Sequence, residues 1–381
     1  MKISLCTIGS RGDIQPFLTL GEYLSNSGHE VKVSSAKMYQ SLAEKYDVAY
    51  EYFEGDFESI IDDEALKKEI GKNPFTINKQ LKEKVYAIIE NSLETFYDLL
   101  QWSDVVVYHP KTLIDSIGYE SQEKLIKGYV VPAFTPTSQF LNPIFSSFYV
   151  PRFLNRLSFK FANAMIGTMK TPIANFKKKR NLDKSPSLLD TTTVYGVSPS
   201  IIDLPSDYTS NHHFTGFWHK EEMKDNLSED IVEFMSGEQQ VLIITFGSMP
   251  YKSNIDINLI IKSLQQEYGI KILIVKAWGL KDTTIEESET VKAIDAAPFD
   301  VLFPLADYVI HHGGAGTTAT ALRAGIPQLI CPVLYPVDDQ FFWGTALNKK
   351  GVSPAPIPLK KLSIEKLKKA FVQMMKKEGA R

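Results

Sequence analysis

The chain reads as an α/β protein made of two doubly wound halves, and three observations carry that reading. Buried strand patterns and amphipathic helix patterns alternate from the first residues onward, which implies right-handed crossovers and parallel sheets. The alternation gives out near residue 220 and restarts with a new apolar strand at Gln240–Phe246. Each half also carries a glycine-rich bend between a strand and a helix, at 9–13 and at 312–316. At 381 residues the chain exceeds what one core usually fills, so two domains are expected, 1–220 and 221–381.

The elements follow in order. Residues 2–8 form a buried strand, and 14–27 a helix with Pro16 in its first turn, Phe17, Leu20 and Leu24 on one face and Gly28 as its stop. The strand Glu30–Ser35 comes next, so the loop Gly9–Asp13 falls at the carboxyl end of the first strand, where open α/β sheets place ligands. A helix near 37–45, an extended segment at 48–53, a long helix at 77–101, the strand Asp104–His109, a helix near 112–122 and the strand Leu125–Pro132 complete this first alternation. Residues 134–180 break it with proline-rich turns and a mixed apolar and basic helix ending in Lys177–Arg180, an insertion suited to a binding wall. Strands at Thr193–Val197 and Phe214–Phe217 lead to the boundary. The second half then offers the helix Ile255–Gln266, the strands Ile270–Lys276 and Asp307–His311, a helix at 315–324 and the strand Gln328–Pro332.

Composition narrows the function classes. Hydrophobic content of 44% and charged content of 23% describe a soluble globular protein, and a net charge of −3 gives no reason to expect nucleic acid. The only cysteines, Cys6 and Cys331, lie far apart in apolar runs, so they build neither a disulfide framework nor a metal site, and a reducing cytoplasm is expected. The N-terminus enters a strand pattern directly, which argues against a signal peptide, and no apolar run is long enough to span a bilayer.

The stretch from Val309 to Gly325 is the most informative. A strand feeding a glycine bend into a helix makes an anion site, because the glycines let backbone N–H groups approach a ligand and the helix N-terminus carries partial positive charge. A phosphate-bearing ligand is expected there. His312, just before the first glycine, stands where its ring can donate to a phosphate oxygen, while His311 points to the opposite strand face and is read as structural. The spacing is neither that of the P-loop nor that of the dinucleotide fingerprint.

Four stretches then carry a resemblance: Thr7–Pro16, Asn155-Arg-Leu157, Thr215-Gly-Phe-Trp218, and Ala297–Phe303 running through His311–Thr318 to Arg323–Pro327 and Asp339-Gln340. Together they resemble the nucleotide-sugar-dependent glycosyltransferases of the GT-B fold, within the UDP-glycosyltransferase superfamily. The branch resembled holds sterol glucosyltransferases and bacterial antibiotic and macrolide glycosyltransferases. The resemblance implies two Rossmann-like domains facing each other across a cleft, the first for the acceptor and the second for the nucleotide sugar. It implies no metal and no cofactor, with a UDP- or dTDP-sugar as co-substrate. The reaction implied is inverting transfer of a hexose, glucose by this branch, to a hydroxyl of an apolar acceptor such as a sterol, lipid or natural product.

By the same resemblance, His312, Gly314, Gly316 and Thr317 hold the phosphates, with Gly247 and Ser248 in a second strand-end loop beside them. Ser10, Arg11 and Phe299 also fall in donor-contacting motifs, and Asp339 and Gln340 match the pair that hydrogen-bonds sugar hydroxyls. Asp13 takes the place of the general base, its pKa raised by desolvation in the closed cleft, and His109 is the reserve candidate for orienting the acceptor. Asp13 and Asp339 also stand where plain helix caps would, and Ser248 where it would merely close a turn. In the insertion, Phe140, Phe145, Phe148 and Phe153, interleaved with Arg152, Arg156 and Lys160, read as an acceptor wall, a surface that touches membrane lipid, or a packed helix with a solvated basic edge. Two departures stand out. Ala296 occupies the place of a tryptophan that stacks on uracil in many relatives, and after the helix Ser363–Lys377 the sequence stops at Arg381, where relatives continue through a helix crossing back to the first domain. A nucleotide-sugar epimerase and a non-catalytic nucleotide-sugar-binding protein are the alternatives on the same fold.

Overall fold

Lys2–Cys6 (β1) is a run with no alternation, and it is buried on both faces because neighbours flank it and helices cover it. The computed structural model describes residues 1–55, 79–117, 123–166, 170–182, 191–220, 226–247 and 253–376. After β1 come α1 (Arg11–Asn26), β2 (Glu30–Ala36), the single turn α2 (Gln40–Ala43), β3 (Ala49–Phe53), α3 (Lys79–Trp102), β4 (Val105–Tyr108) and β5 (Leu125–Tyr129). Then follow α4 (Asn155–Ile166), α5 (Lys170–Arg180), β6 (Thr193–Tyr195) and β7 (His212–Phe214). The seven strands form one parallel sheet in the order β3-β2-β1-β4-β5-β6-β7, with Leu5 opposite Val33 on one side and Val107 on the other. Leu5, Phe17, Val33 and Val107 fill the core on one face, and Cys6, Phe96, Val106 and Tyr108 on the other.

The second half contains α6 (Glu229–Met235), β8 (Val241–Thr245), α7 (Ile257–Tyr268), β9 (Lys271–Val275), β10 (Val291–Ile294), α8 (Phe299–Leu302), β11 (Tyr308–His311), α9 (Ala315–Ala324), β12 (Gln328–Ile330), α10 (Gln340–Lys349) and α11 (Ile364–Met375). Its parallel sheet runs β10-β9-β8-β11-β12. In both sheets the chain winds outward to one edge and then returns to start again on the other side. The point of return lies between β1 and β4 in the first sheet and between β8 and β11 in the second. Crevices for ligands form at such points, outside the carboxyl ends of the strands.

Several elements differ from their sequence expectations. α1 begins at Arg11 rather than 14, because Ser10 and Asp13 form a reciprocal capping box, and Pro16 therefore stands in the second turn. The helix expected near 112–122 is replaced, over its described part, by 3-10 turns at Pro110–Thr112 and Ile114–Ser116. The strand β10 was not expected from sequence.

The chain divides into two compact units: Met1–Thr137, Phe159–Pro199 and Leu204–His219 in one, and Ser138–Ser158, Ser200–Asp203 and Lys220–Arg381 in the other. Residues 138–158, counted by sequence with the first domain, thus pack with the second. Phe140 lies 5.8 Å from the Phe342 ring, the Ser147 hydroxyl donates to Pro336 O at 2.6 Å, and the Asp338 N–H donates to Ile144 O at 3.0 Å.

Candidate functional site

In the first unit, the loops after β1 and β4 bring together Asp13, His109 and Lys111. The Asp13 carboxylate folds back over its own loop: Oδ2 accepts from the Ser10 N–H at 2.9 Å and from the Ser10 hydroxyl at 3.2 Å. Glycine at position 9 permits this, since a Cβ there would lie 2.1 Å from Asp13 Oδ2. The other oxygen, Oδ1, accepts from Lys111 Nζ at 2.8 Å. Burial pushes the Asp13 pKa up, but the Lys111 charge and the bonds from Lys111 and Ser10 outweigh it, and the carboxyl is held below its ordinary value. This reverses the expected upward shift, because an ammonium that sequence did not place beside Asp13 supplies the missing counter-charge.

His109 is 1% exposed and sits among the rings of Phe134, Tyr129 and Phe17, at 5.1, 6.4 and 6.5 Å. Burial, helped by the Lys111 charge and opposed by Asp13, lowers its pKa to about 3, so the ring is neutral. Its Nδ1 accepts from the Lys111 N–H at 3.2 Å, which puts the ring proton on Nε2. Lys111 was absent from the sequence expectation. The signal that could have found it is a basic residue two positions beyond a strand-end histidine. Arg11 is exposed and donates along the helix to Gln15 at 2.9 Å.

In the second unit, the loops after β8 and β11 surround His312. A Cβ at Gly314 would approach its Nε2 to 2.6 Å and one at Gly247 its Cε1 to 2.9 Å, so the imidazole is held between two glycines. Burial and the neighbouring His311 lower the His312 pKa to about 3, and its buried Nδ1 has no hydrogen-bond partner within the protein. An unsatisfied polar atom of this kind costs stability unless a ligand or water meets it. Beyond the ring, α9 opens at Gly314 with no side chain capping it, Thr317 is half-buried, and a Cβ at Gly316 would meet nothing within 4 Å. His311 braces the bend: Nε2 bonds Gln328 at 2.8 Å and Nδ1 accepts from the Gly313 N–H at 3.1 Å. Burial lowers its pKa to about 4.

The remaining candidates separate. Gln340 is 3% exposed and its Oε1 accepts from the Val333 and Leu334 N–H groups at 2.8 and 3.2 Å, which fixes the chain after β12. Asp339, half-buried at the start of α10, accepts from Trp343 Nε1 at 2.9 Å instead of capping that helix. Phe299 stacks on Phe303 at 4.7 Å and packs on the second unit's core. Ser248 lies outside the described residues. Of the four phenylalanines in the insertion, Phe140 packs on Phe342 and Phe145 lies 6.5 Å from Phe148, whereas Phe148 is 44% and Phe153 82% exposed. Among the described residues no helix is long and apolar enough to cross a membrane.

Comparison with known proteins gives these loops a context. Residues 3–109 match the glycosyltransferase family 28 N-terminal domain, and residues 271–380 match the C-terminal domain of the erythromycin biosynthesis protein CIII-like family. The chain is 30% identical to sterol 3-beta-glucosyltransferase UGT80B1 of Arabidopsis thaliana, over 99% of this chain and 63% of that one, so it spans about three-fifths of this relative's length. It is 25% identical to O-mycaminosyltylonolide 6-deoxyallosyltransferase of Streptomyces fradiae, over 96% of this chain and 88% of that one. The crystal structure of the glycosyltransferase SnogD from Streptomyces nogalater superposes with a TM-score of 0.67 at 15% identity, covering 99% of this chain and 93% of that one, which shows a shared fold. With the family 28 N-terminal domain and the erythromycin biosynthesis protein CIII-like C-terminal domain matched in chain order, the chain is similar over almost all of its length to sterol and macrolide glycosyltransferases and shares the two-domain GT-B fold of the solved glycosyltransferases.

Proposed function

We propose that this protein is an inverting, metal-independent glycosyltransferase that moves a hexose from a UDP- or dTDP-sugar to a hydroxyl of an apolar acceptor. The observation that carries the reading is the His312 bend: a neutral imidazole held between glycines, one ring nitrogen unpartnered, at the uncapped N-terminus of α9. Donors and a helix dipole aimed at one place stabilise the negative charge that grows on a departing diphosphate. Gly247, Gly314, Gly316 and Thr317 border that place, and the Asp339 carboxylate, beside Trp343, is the group suited to sugar hydroxyls.

The acceptor oxygen attacks the anomeric carbon as the bond from that carbon to the phosphate oxygen breaks, and the nucleoside diphosphate leaves with the electron pair. The acceptor proton passes to the Asp13 carboxylate. A carboxylate of low pKa is a weak base towards a neutral alcohol, but the hydroxyl becomes strongly acidic as its oxygen bonds to carbon, so the proton moves late. His109, neutral and fixed by the Lys111 N–H, orients the acceptor. Asp13→Asn should keep UDP binding and lose about 10²- to 10⁴-fold in transfer rate. Near-parental activity with an unchanged fold by circular dichroism would eliminate Asp13 as the base. NMR of the product's anomeric configuration checks inversion, and donor isomerised without any acceptor would mark an epimerase instead.

The apolar acceptor is supported by an exposed ridge spaced four residues apart, Tyr149, Phe153 and Leu157, at 102%, 82% and 57% exposure, beside exposed Arg152 and Lys160. Such a ridge suits peripheral contact with an anionic lipid surface, from which an apolar acceptor is drawn. The parent should co-sediment with phosphatidylglycerol vesicles more than with phosphatidylcholine ones. Equal recovery of the parent and Phe153→Ser argues against the contact.

A further inference from the structure

Residues 138–158 leave the first half of the chain and close on themselves beside α10. Two buried asparagines shape this segment. Asn155 Nδ2 donates to Ser138 O at 2.9 Å, and the Asn142 N–H donates to the Ser158 hydroxyl at 2.9 Å, so the two ends are tied together. Asn142 Oδ1 also accepts from the Ile144 N–H at 3.0 Å and caps the 3-10 turn Pro143–Phe145. The middle of the segment is therefore a braced loop, and its Ile144 carbonyl and Ser147 hydroxyl face the turn between β12 and α10.

That turn carries Asp339, the carboxylate suited to sugar hydroxyls, and the segment reaches it by two routes. Along the main chain, Ser147 Oγ donates to Pro336 O at 2.6 Å and the Asp338 N–H donates to Ile144 O at 3.0 Å, which pins the turn just before Asp339. Through the side chains, Phe140 lies 5.8 Å from Phe342, Phe342 meets Trp343 edge-on at 5.4 Å, and Trp343 Nε1 donates to Asp339 Oδ2 at 2.9 Å. Phe342 and Trp343 are both buried, so close packing sets where their rings stand. A carboxylate that must meet particular hydroxyls depends on the shell that fixes its direction. We propose that residues 138–158 are a structural part of the donor-sugar site, with Ser147 as a positioning residue for the Asp339 carboxylate, an inference that rests on the nucleotide-sugar reading above. Recognition of the sugar then draws on a segment that lies in sequence between strands of the first sheet.

The test measures, by calorimetry on the full chain, the binding of UDP and dTDP and of the glucose conjugate of each. Asp339→Asn should weaken the conjugate about 10- to 150-fold and leave the bare diphosphate unchanged, which marks the sugar contact. Ser147→Ala should weaken the conjugate about 2- to 10-fold, the range for one neutral hydrogen bond, again with the diphosphate unchanged. Ser147→Thr, which keeps the hydroxyl, should restore most of the lost affinity. Parental affinity of Ser147→Ala for the conjugate overturns the inference, as does an equal loss for the bare diphosphate, which would mark a general disturbance of the second unit. Parental affinity of Asp339→Asn for the conjugate removes the sugar role of Asp339 and this inference with it. A parent that binds none of the four overturns the nucleotide-sugar reading itself.

Discussion

At the scale of single residues, Asp13 and Lys111 form a pair whose pH behaviour can be worked out in advance. Asp13's folded pKa lies below its ordinary value, so the pair contributes stability above the unfolded pKa, about 4, and loses it as the pH falls through the folded one. Lys111 is 42% exposed, so the ion pair itself is worth roughly 0.5–1 kcal/mol. Lys111→Met should cost about that much near pH 7 by urea unfolding. The deficit should vanish well below pH 4, where both proteins carry a protonated Asp13. With the ammonium gone, burial is opposed chiefly by the bonds from Ser10, so the acid limb of the pH–rate profile should move upward. An unmoved limb would place the titrating group elsewhere. Sequence exposed Asp13 because it sits in a short glycine loop of recognisable pattern. It did not expose the partner, which arrives from 98 residues away only when β1 and β4 pair.

At the scale of elements, α10 shows how tightly a helix can seat. A Cβ at Gly344 would lie 2.5 Å from Pro356 Cβ and 3.2 Å from Ile330 Cβ, so the helix packs its backbone against the segment after it and against β12. Gly344→Ala should destabilise the second unit by about 1–3 kcal/mol through overpacking, despite alanine's better helix propensity. A raised melting temperature would show that α10 has room to shift. The elements that sequence revealed are those with a strong period or a sharp stop, such as α7, which is capped by Asp256 and closed by Gly269 at φ +62°. β10 escaped notice for a physical reason: it is an edge strand in which only Val291 is buried, so it lacks the apolar run of its neighbours. Residues 134–180 read from sequence as one insertion of the first domain, whereas the unit that 138–158 packs with depends on Phe140 meeting Phe342, a contact no local pattern announces.

At the scale of the whole molecule, three buried histidines stay neutral far below their ordinary titration range, His109 and His312 to about 3 and His311 to about 4. The unfolded chain protonates them near pH 6.5, so between that value and about 4 it binds up to three more protons than the folded chain. Stability should therefore rise with pH across this window and be lost progressively as the pH falls below 6.5, by up to about 1.4 kcal/mol per pH unit for each histidine. Urea midpoints measured from pH 7 to 4.5 would show it, and a flat profile would mean that these rings are protonated in the folded protein. Both bends stand at the point where their sheet reverses its direction of winding, and the second is made largely of main-chain amides and glycines. That has a consequence for how such a chain tolerates mutation. Where recognition is vested in the peptide backbone, most side chains of the surrounding helices and strands answer only to packing, and they drift freely as long as volume and polarity are kept. The same architecture can then persist in proteins that agree with this one at 15% of positions.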